Sequence, residues 1–191
     1  MAVGSTGRVV WGIALAVAVA LVVALPLAVR SRFEGVWIPS ESMAPTLLVG
    51  DYVLMDKAAG WPVRGDLVVF VDPTDAGQLL VKRIVAVGGD EVTVRGREVY
   101  VNCEAGSEGC RPLAEPYADF TGEMRAARDA GPVPVPSDAV FVMADNRNAG
   151  EDSRHWGPVS RSRIVGRAVW VYWSSDAEGR TRWSRVGLRL H

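Results

Sequence analysis

The sequence predicts a mostly β domain that carries a small inserted β-rich segment and is preceded by one amino-terminal transmembrane helix. Three observations predict it. Residues Val9 to Val29 contain no charged side chain; as a helix such a run spans roughly 31 Å, about the hydrocarbon thickness of a bilayer. Beyond Arg30 the chain changes to short β-branched and apolar runs broken by Gly, Pro and Asp, with no long helical period. Its 191 residues suffice for one compact domain with a small appendage.

Taken in order, residues 1–8 form a short amino-terminal arm and 9–29 the membrane helix. A cleaved signal peptide is the competing reading, since Arg8 precedes the run. The run exceeds the ~7–15 apolar residues usual for such peptides, which favours an anchor in the lipid bilayer. Arg8 on one side faces Arg30 and Arg32 on the other, so charge alone leaves the orientation open. Residues 30–36 read as a linker. Strands are expected at Tyr52–Met55, Asp66–Val71, Leu79–Val87, Ala139–Met143 and Ile164–Trp173, placing one β domain on 37–90 and 137–191. Residues 91–136 are richer in Gly, Glu and Pro and read as an inserted subdomain, with strands at Glu91–Val94 and Glu98–Val101. It ends in Gly131-Pro132-Val133-Pro134-Val135-Pro136, a stiff extended connector.

Formal net charge is −1, and the basic residues are scattered among nearly as many acids. No basic stripe marks a nucleic-acid surface, and that class is set aside. The basic residues are 19 Arg and only 2 Lys, Lys57 and Lys82. Arginine is never deprotonated in proteins, so the supply of nitrogen bases is small. The seven Trp, Trp170 and Trp173 among them, suit either a core or an interface.

Chemistry concentrates just past the apolar run, in Pro39-Ser40-Glu41-Ser42-Met43-Ala44-Pro45-Thr46-Leu47. Serines beside proline are ordinarily turn residues. Ser42, however, lies so close to the apolar run that even a fully extended tether keeps it within roughly 40–50 Å of the bilayer. A serine nucleophile needs a base, and His155, His191, Lys57, Lys82 or a carboxylate are the choices. His191 is the terminal residue, a poor place for rigid positioning. His155 sits in a turn-like setting, and Lys57 looks like a solvated loop end. Lys82 interrupts Leu79-Leu80-Val81-Lys82-Arg83-Ile84-Val85-Ala86-Val87, where strand alternation places it on one face with Leu80, Ile84 and Ala86. Burial there would disfavour the ammonium and lower its pKa toward a working base. A lysine snorkelling from an edge strand fits the same residues, and alternation does not choose between the two.

Five blocks, in order, resemble those of bacterial type I signal peptidases. They are the Ser42 segment; Gly50-Asp51-Tyr52-Val53; Arg64-Gly65-Asp66-Leu67-Val68; Val81-Lys82-Arg83-Ile84-Val85 through Gly88-Gly89-Asp90; and Ala144-Asp145-Asn146-Arg147 with Asp152-Ser153-Arg154. The resemblance runs from about Trp37 to Gly166 and is weakest across the insertion. The closing Trp183-Ser184-Arg185-Val186-Gly187 is similar to Gram-negative members, many of which have two spans where this chain has one. Self-cleaving repressors share a Ser–Lys architecture but carry a DNA-binding segment in place of the apolar run. An anchored, non-enzymatic β domain that binds partners through exposed aromatics is the remaining alternative.

The resemblance implies a Ser–Lys endopeptidase with a signal-peptidase-like β fold, Ser42 as nucleophile and Lys82 as general base. It implies an oxyanion hole of the Ser42 N–H and the Ser40 hydroxyl, with Asp145 paired to Arg83 and Asp152 to Arg154 as structural support. The apolar neighbours Ile38, Pro39, Met43, Leu47, Leu80 and Val81 are candidate walls for pockets that accept small residues at positions −1 and −3 of the substrate, and ordinary core packing suits several of them equally. Preprotein signal peptides are the implied partners, a monomer is expected, and no metal or cofactor is called for. The implied location is the bacterial cytoplasmic membrane, single-pass, with residues 1–8 in the cytoplasm and the catalytic domain outside. Cys103 and Cys110 enclose a flexible loop that an oxidising exterior would let close as a disulfide, against the alternative of two free thiols. Many members have Ser where this chain has Gly150, its hydroxyl helping to hold the lysine amine. Gly150→Ser is therefore expected to keep or modestly raise kcat/KM, unless the glycine is there for a backbone with φ > 0.

Overall fold

The computed structural model describes residues 11, 19, 22, 24, 26–122 and 129–190. The 9–29 run lies largely outside them, as does His191. Residues 26–32 are helical and lead directly into the first strand. Among the described residues no helix is long and apolar enough to cross a membrane.

Eleven strands follow among the described residues: β1 (Phe33–Trp37), β2 (Asp51–Asp56), β3 (Leu67–Val71), β4 (Leu79–Val87), β5 (Glu91–Arg95), β6 (Glu98–Val101), β7 (Ala130–Pro134), β8 (Ala139–Met143), β9 (Val159–Ser160), β10 (Ile164–Ser174) and β11 (Leu188–Arg189). The large sheet runs β1-β2-β10-β3-β4-β8-β9, with β11 added on β10; β6-β5-β7 form a small second sheet. Neighbouring strands pair antiparallel throughout. The mostly β architecture and seven of the strands are those the sequence predicts. The linker expected at 30–36 is instead helix and then strand, since β1 pairs residue by residue with β2 from Phe33↔Asp56 to Trp37↔Tyr52. The connector expected at 131–136 is largely β7, an edge strand on β5 with Val92↔Val133 and Glu91↔Pro134 in register. A proline lacks the N–H for a central ladder but is tolerated at an edge, where that side faces outward.

Three apolar clusters fill the fold. One gathers Ile38, Met43, Leu47, Val53, Met55, Leu67, Val69, Ala168 and Val171 around the loop that follows β1. A second joins β4 and β8 to the small sheet through Val85, Ala86, Phe141 and Met143 against Val92, Val94 and Val99. The third packs Val68, Phe70, Ile84, Val140, Val142 and Val159, with Leu80 and Trp156 against it. Alternation along β4 holds from Leu80 to Ile84 and then breaks: Ile84 pairs with Val142 but Ala86 with Phe141, a register shift that makes Val85 an extra residue. Ala86 therefore joins the second cluster, not the face it was expected to share with Lys82, and Val87 takes its place against the third. One inserted residue reverses the facing of everything after it.

Candidate active site

The nucleophile segment is short and firmly held. Glu41–Met43 form a single 3₁₀ turn after β1. Met43 drops into the first cluster with 2% exposure while Ser42 stays accessible. The Ser42 carbonyl accepts a 3.1 Å hydrogen bond from the Asn146 N–H, fixing the turn against the segment after β8. Ser40 lies alongside, its Oγ 3.2 Å from Ser42 Oγ.

Lys82 reaches the same point from β4, where it pairs with Val68 of β3. Its Nζ donates to Ser42 Oγ at 2.8 Å. The side chain is 3% exposed and stands over the third apolar cluster, which settles the choice the sequence left open: this lysine is buried and does not snorkel. Burial lowers its pKa to about 8, the charge of Asp152 opposes that shift and the charge of Arg154 reinforces it. Two of the other candidate bases are engaged elsewhere, and His191 lies outside the described residues. Lys57 Nζ pairs with Glu34 at 3.3 Å. His155 Nδ1 accepts from the Asp152 N–H in the cap of the one-turn helix Ser153–Trp156.

Two buried ion pairs brace the site. Arg83, one residue past the lysine and on the opposite face, grips Asp145 with Nε and Nη2, each at 2.8 Å. Its guanidinium also covers the Tyr117 ring at 4.0 Å. Arg154 holds Asp152 in the same forked manner at 2.9 and 2.8 Å, and the Asp152 carboxylate also accepts the Ala144 and Arg154 N–H groups. Burial by itself would raise the Asp152 carboxyl, but the Arg154 contacts and the backbone donors outweigh it and keep it below the usual carboxylate range. A third pair was not foreseen: Arg147 forks onto Glu115 at 2.9 and 2.6 Å, both side chains buried. Asp119 N–H donates to the Asp145 carbonyl and Asn148 Nδ2 to the Phe120 carbonyl, so this stretch of the insertion is stitched to the block after β8. Arg147 stood inside a recognised block, but its partner lies in the least family-like stretch, which is why no pairing was expected.

An open cleft of about 270 Å³ lies over the pair, lined by Ser40, Ser42, Lys82, Leu80, Gly150 and Trp156 among others. Of the six candidate pocket walls, Leu80 lines it. Ile38, Met43 and Leu47 are buried in the first core cluster and Val81 packs against it, while Pro39 is exposed. Residues from the loop before the Ser153–Trp156 helix and from that helix itself supply the opposite wall, which strand patterning did not point to.

Gly150 meets the lysine as expected but not in the way expected. A Cβ built on it would stand 3.8 Å from Lys82 Nζ, yet 3.2 Å from Ser42 Cβ, and its φ is +99°. That conformation strains any side-chain-bearing residue by about 1–3 kcal/mol, and the added carbon crowds the nucleophile. The expectation that serine here keeps or raises activity is therefore reversed. Gly150→Ser should lower both the melting temperature and kcat/KM, read by thermal melting and initial rates on one preparation.

A serine hydroxyl set against a buried lysine whose pKa is lowered to about 8, on the floor of an open cleft, is the arrangement of a serine hydrolase. Residues 8–173 match the family model described as signal peptidase, peptidase S26. The chain is 36% identical to a signal peptidase I of Leptolyngbya laminosa over 84% of this chain and 79% of that one. It is 38% identical to a probable signal peptidase I-2 of Synechocystis sp. (strain ATCC 27184 / PCC 6803 / Kazusa) over 80% and 70%. A crystal structure of a signal peptidase I from Enterococcus faecalis V583 aligns at 26% identity with a TM-score of 0.45, covering 58% of this chain and 98% of that one. The chain belongs to the signal peptidase family, peptidase S26.

Proposed function

We propose that the chain acts as a signal peptidase I, removing signal peptides from preproteins, with Ser42 as nucleophile and Lys82 as general base. The 2.8 Å contact between a buried amine and an accessible hydroxyl is the observation that carries this reading. The neutral amine takes the Ser42 proton as Oγ attacks the scissile carbonyl. The oxyanion is received by the Ser42 N–H and the Ser40 hydroxyl; one such donor is typically worth about 2.7–4 kcal/mol. Collapse expels the new amine, which takes its proton from the Lys82 ammonium. The lysine, neutral again, deprotonates a water that attacks the acyl-enzyme, releasing the signal peptide carboxylate and returning a proton to Ser42.

The substrate enters as an added strand. β4 pairs with β8 only from Arg83 to Val87, so Leu79–Lys82 have β3 on one side and the cleft region on the other. An extended peptide laid there is read through its backbone, with alternate side chains tested by the cleft. Leu80 bounds the place of a small residue, while Ile38, Met43, Leu47 and Val81 pack in and against the first core cluster under the segment that carries Ser42. Anchoring through residues 9–29 completes the reading, supported by the charge-free run and by helical, exposed apolar residues at Trp11, Val19, Val22 and Leu27. An exterior placement of the catalytic domain is supported by the Cys103–Cys110 disulfide, a bond that persists in oxidising compartments.

The lysine pKa makes a signed prediction. Below about pH 8 the amine is protonated and cannot accept, so kcat/KM should fall about tenfold per pH unit on the acid side and level off above the pKa. A kcat/KM that stays level as pH falls well below 8 would contradict Lys82 as the base.

A further inference from the structure

The loop that carries Ser42 is held from the far end of the chain. Asp51 is fully buried, and Arg185 reaches it from the 3₁₀ turn Trp183–Arg185 near the carboxyl terminus. Nε and Nη2 of Arg185 lie 3.0 and 2.5 Å from the two Asp51 carboxylate oxygens, and Nη2 also donates to the Thr46 carbonyl at 2.8 Å. Arg182 of the same segment donates to the Val49 carbonyl at 2.9 Å. Asp51 accepts the Leu48 N–H at 2.9 Å. Three backbone groups between Thr46 and Val49 are thus fixed by Asp51 and two C-terminal arginines.

The same loop is pressed on its other side. Gly50 has φ +88°, and a Cβ there would sit 2.1 Å from the Ser175 carbonyl, so only glycine allows this approach. Thr46 joins the two halves of the site: its carbonyl is held by Arg185, while its hydroxyl donates to Asp145, the partner of Arg83. Leu47 N–H closes back onto the Met43 carbonyl at 2.8 Å, so a shift of Thr46–Leu47 is passed directly to the turn bearing Ser42.

We infer that Arg185 is a positioning residue for the Ser42 nucleophile, setting the distance and direction of its Oγ relative to Lys82 through Thr46 and Asp51. The inference rests on Ser42 being the nucleophile. Arginine suits the task because one planar fork reaches a carboxylate and a carbonyl together; the compact ammonium of lysine reaches one of them. Removing the fork leaves substrate binding along β4 in place and loosens the attacking atom. A misplacement of about 1 Å costs on the order of a hundredfold in rate.

The test uses the full chain in detergent with a preprotein substrate, comparing wild type, Arg185→Ala, Arg185→Lys and Ser42→Ala, each normalised to folded protein by near-ultraviolet circular dichroism. Arg185→Ala should lose about 30- to 100-fold in kcat with KM within about threefold of wild type. Arg185→Lys should recover part of that loss, and the acid limb of both should stay near pH 8. Where Arg185→Ala fails to fold, Arg185→Lys alone decides, with an expected kcat loss of about three- to tenfold at unchanged KM. Unchanged kcat in the folded variants, or a loss confined to KM, overturns the positioning role while leaving the nucleophile assignment standing. Wild-type cleavage by Ser42→Ala overturns both.

Discussion

Replacing either member of the Ser42–Lys82 pair should reduce turnover by at least three orders of magnitude, about 4 kcal/mol of barrier, while leaving the fold intact. The two substitutions differ in what they do to stability. Ser42→Ala removes one accessible hydroxyl and should be nearly silent in melting experiments. Lys82→Met keeps the volume and removes a buried amine. Burial has lowered that amine from its ordinary 10.5 to about 8, so at neutral pH the unfolded state holds the proton more strongly. The protonated lysine thus opposes folding by up to about 3 kcal/mol below pH 8, and the penalty disappears as pH rises from there toward 10.5. Lys82→Met should therefore abolish activity and raise the melting temperature at pH 7, with the gain shrinking in alkaline buffer. Lys57→Ala and His155→Ala should be mild. A Lys82→Met protein that is both inactive and less stable would show that the lysine is there for packing.

Asp152→Ala should have the largest effect on stability. Arg154 has 1% of its side chain exposed, and the substitution strands its charge. It also removes the acceptor of the Ala144 N–H and the cap of the Ser153–Trp156 helix. Stranding one member of a buried pair costs about 3–5 kcal/mol, visible as a lower urea midpoint without a change in slope. Asp152→Asn keeps the shape and part of the hydrogen bonding and should cost less. Because the Asp152 charge holds the Lys82 pKa up, the asparagine variant should also shift the acid limb of kcat/KM to lower pH. A shift to higher pH would mean that Asp152 does not act on Lys82 through its charge.

The features legible in the sequence are those set by local chemistry. Short β-branched and apolar runs marked β4 and β8, the scarcity of lysine shortened the choice of bases, and the resemblance singled out Lys82 among them. The Arg83–Asp145 and Arg154–Asp152 pairs followed from the resemblance. What escaped depends on contacts distant in sequence. β1 reads Phe-Glu-Gly-Val-Trp, without alternation, and becomes a strand because β2 offers it an edge. β7 carries two prolines and becomes a strand only as the outer partner of β5. The displaced Ala86 reflects a single extra residue in β4, and a bulge leaves no mark in composition. Gly150 shows the limit most clearly: its closeness to Lys82 followed from the resemblance, but whether its φ is positive belongs to the loop path, and the positive value reverses the expected effect of a serine there.

The most direct test is to incubate the purified full chain in detergent with a preprotein and sequence the new amino terminus, beside Ser42→Ala and Lys82→Met. The expected result is one cut, immediately after the signal peptide, with small residues at −1 and −3, made by the wild type and by neither variant. Cleavage at scattered sites, no cleavage by the wild type, or wild-type cleavage by the Lys82→Met protein would contradict the assignment.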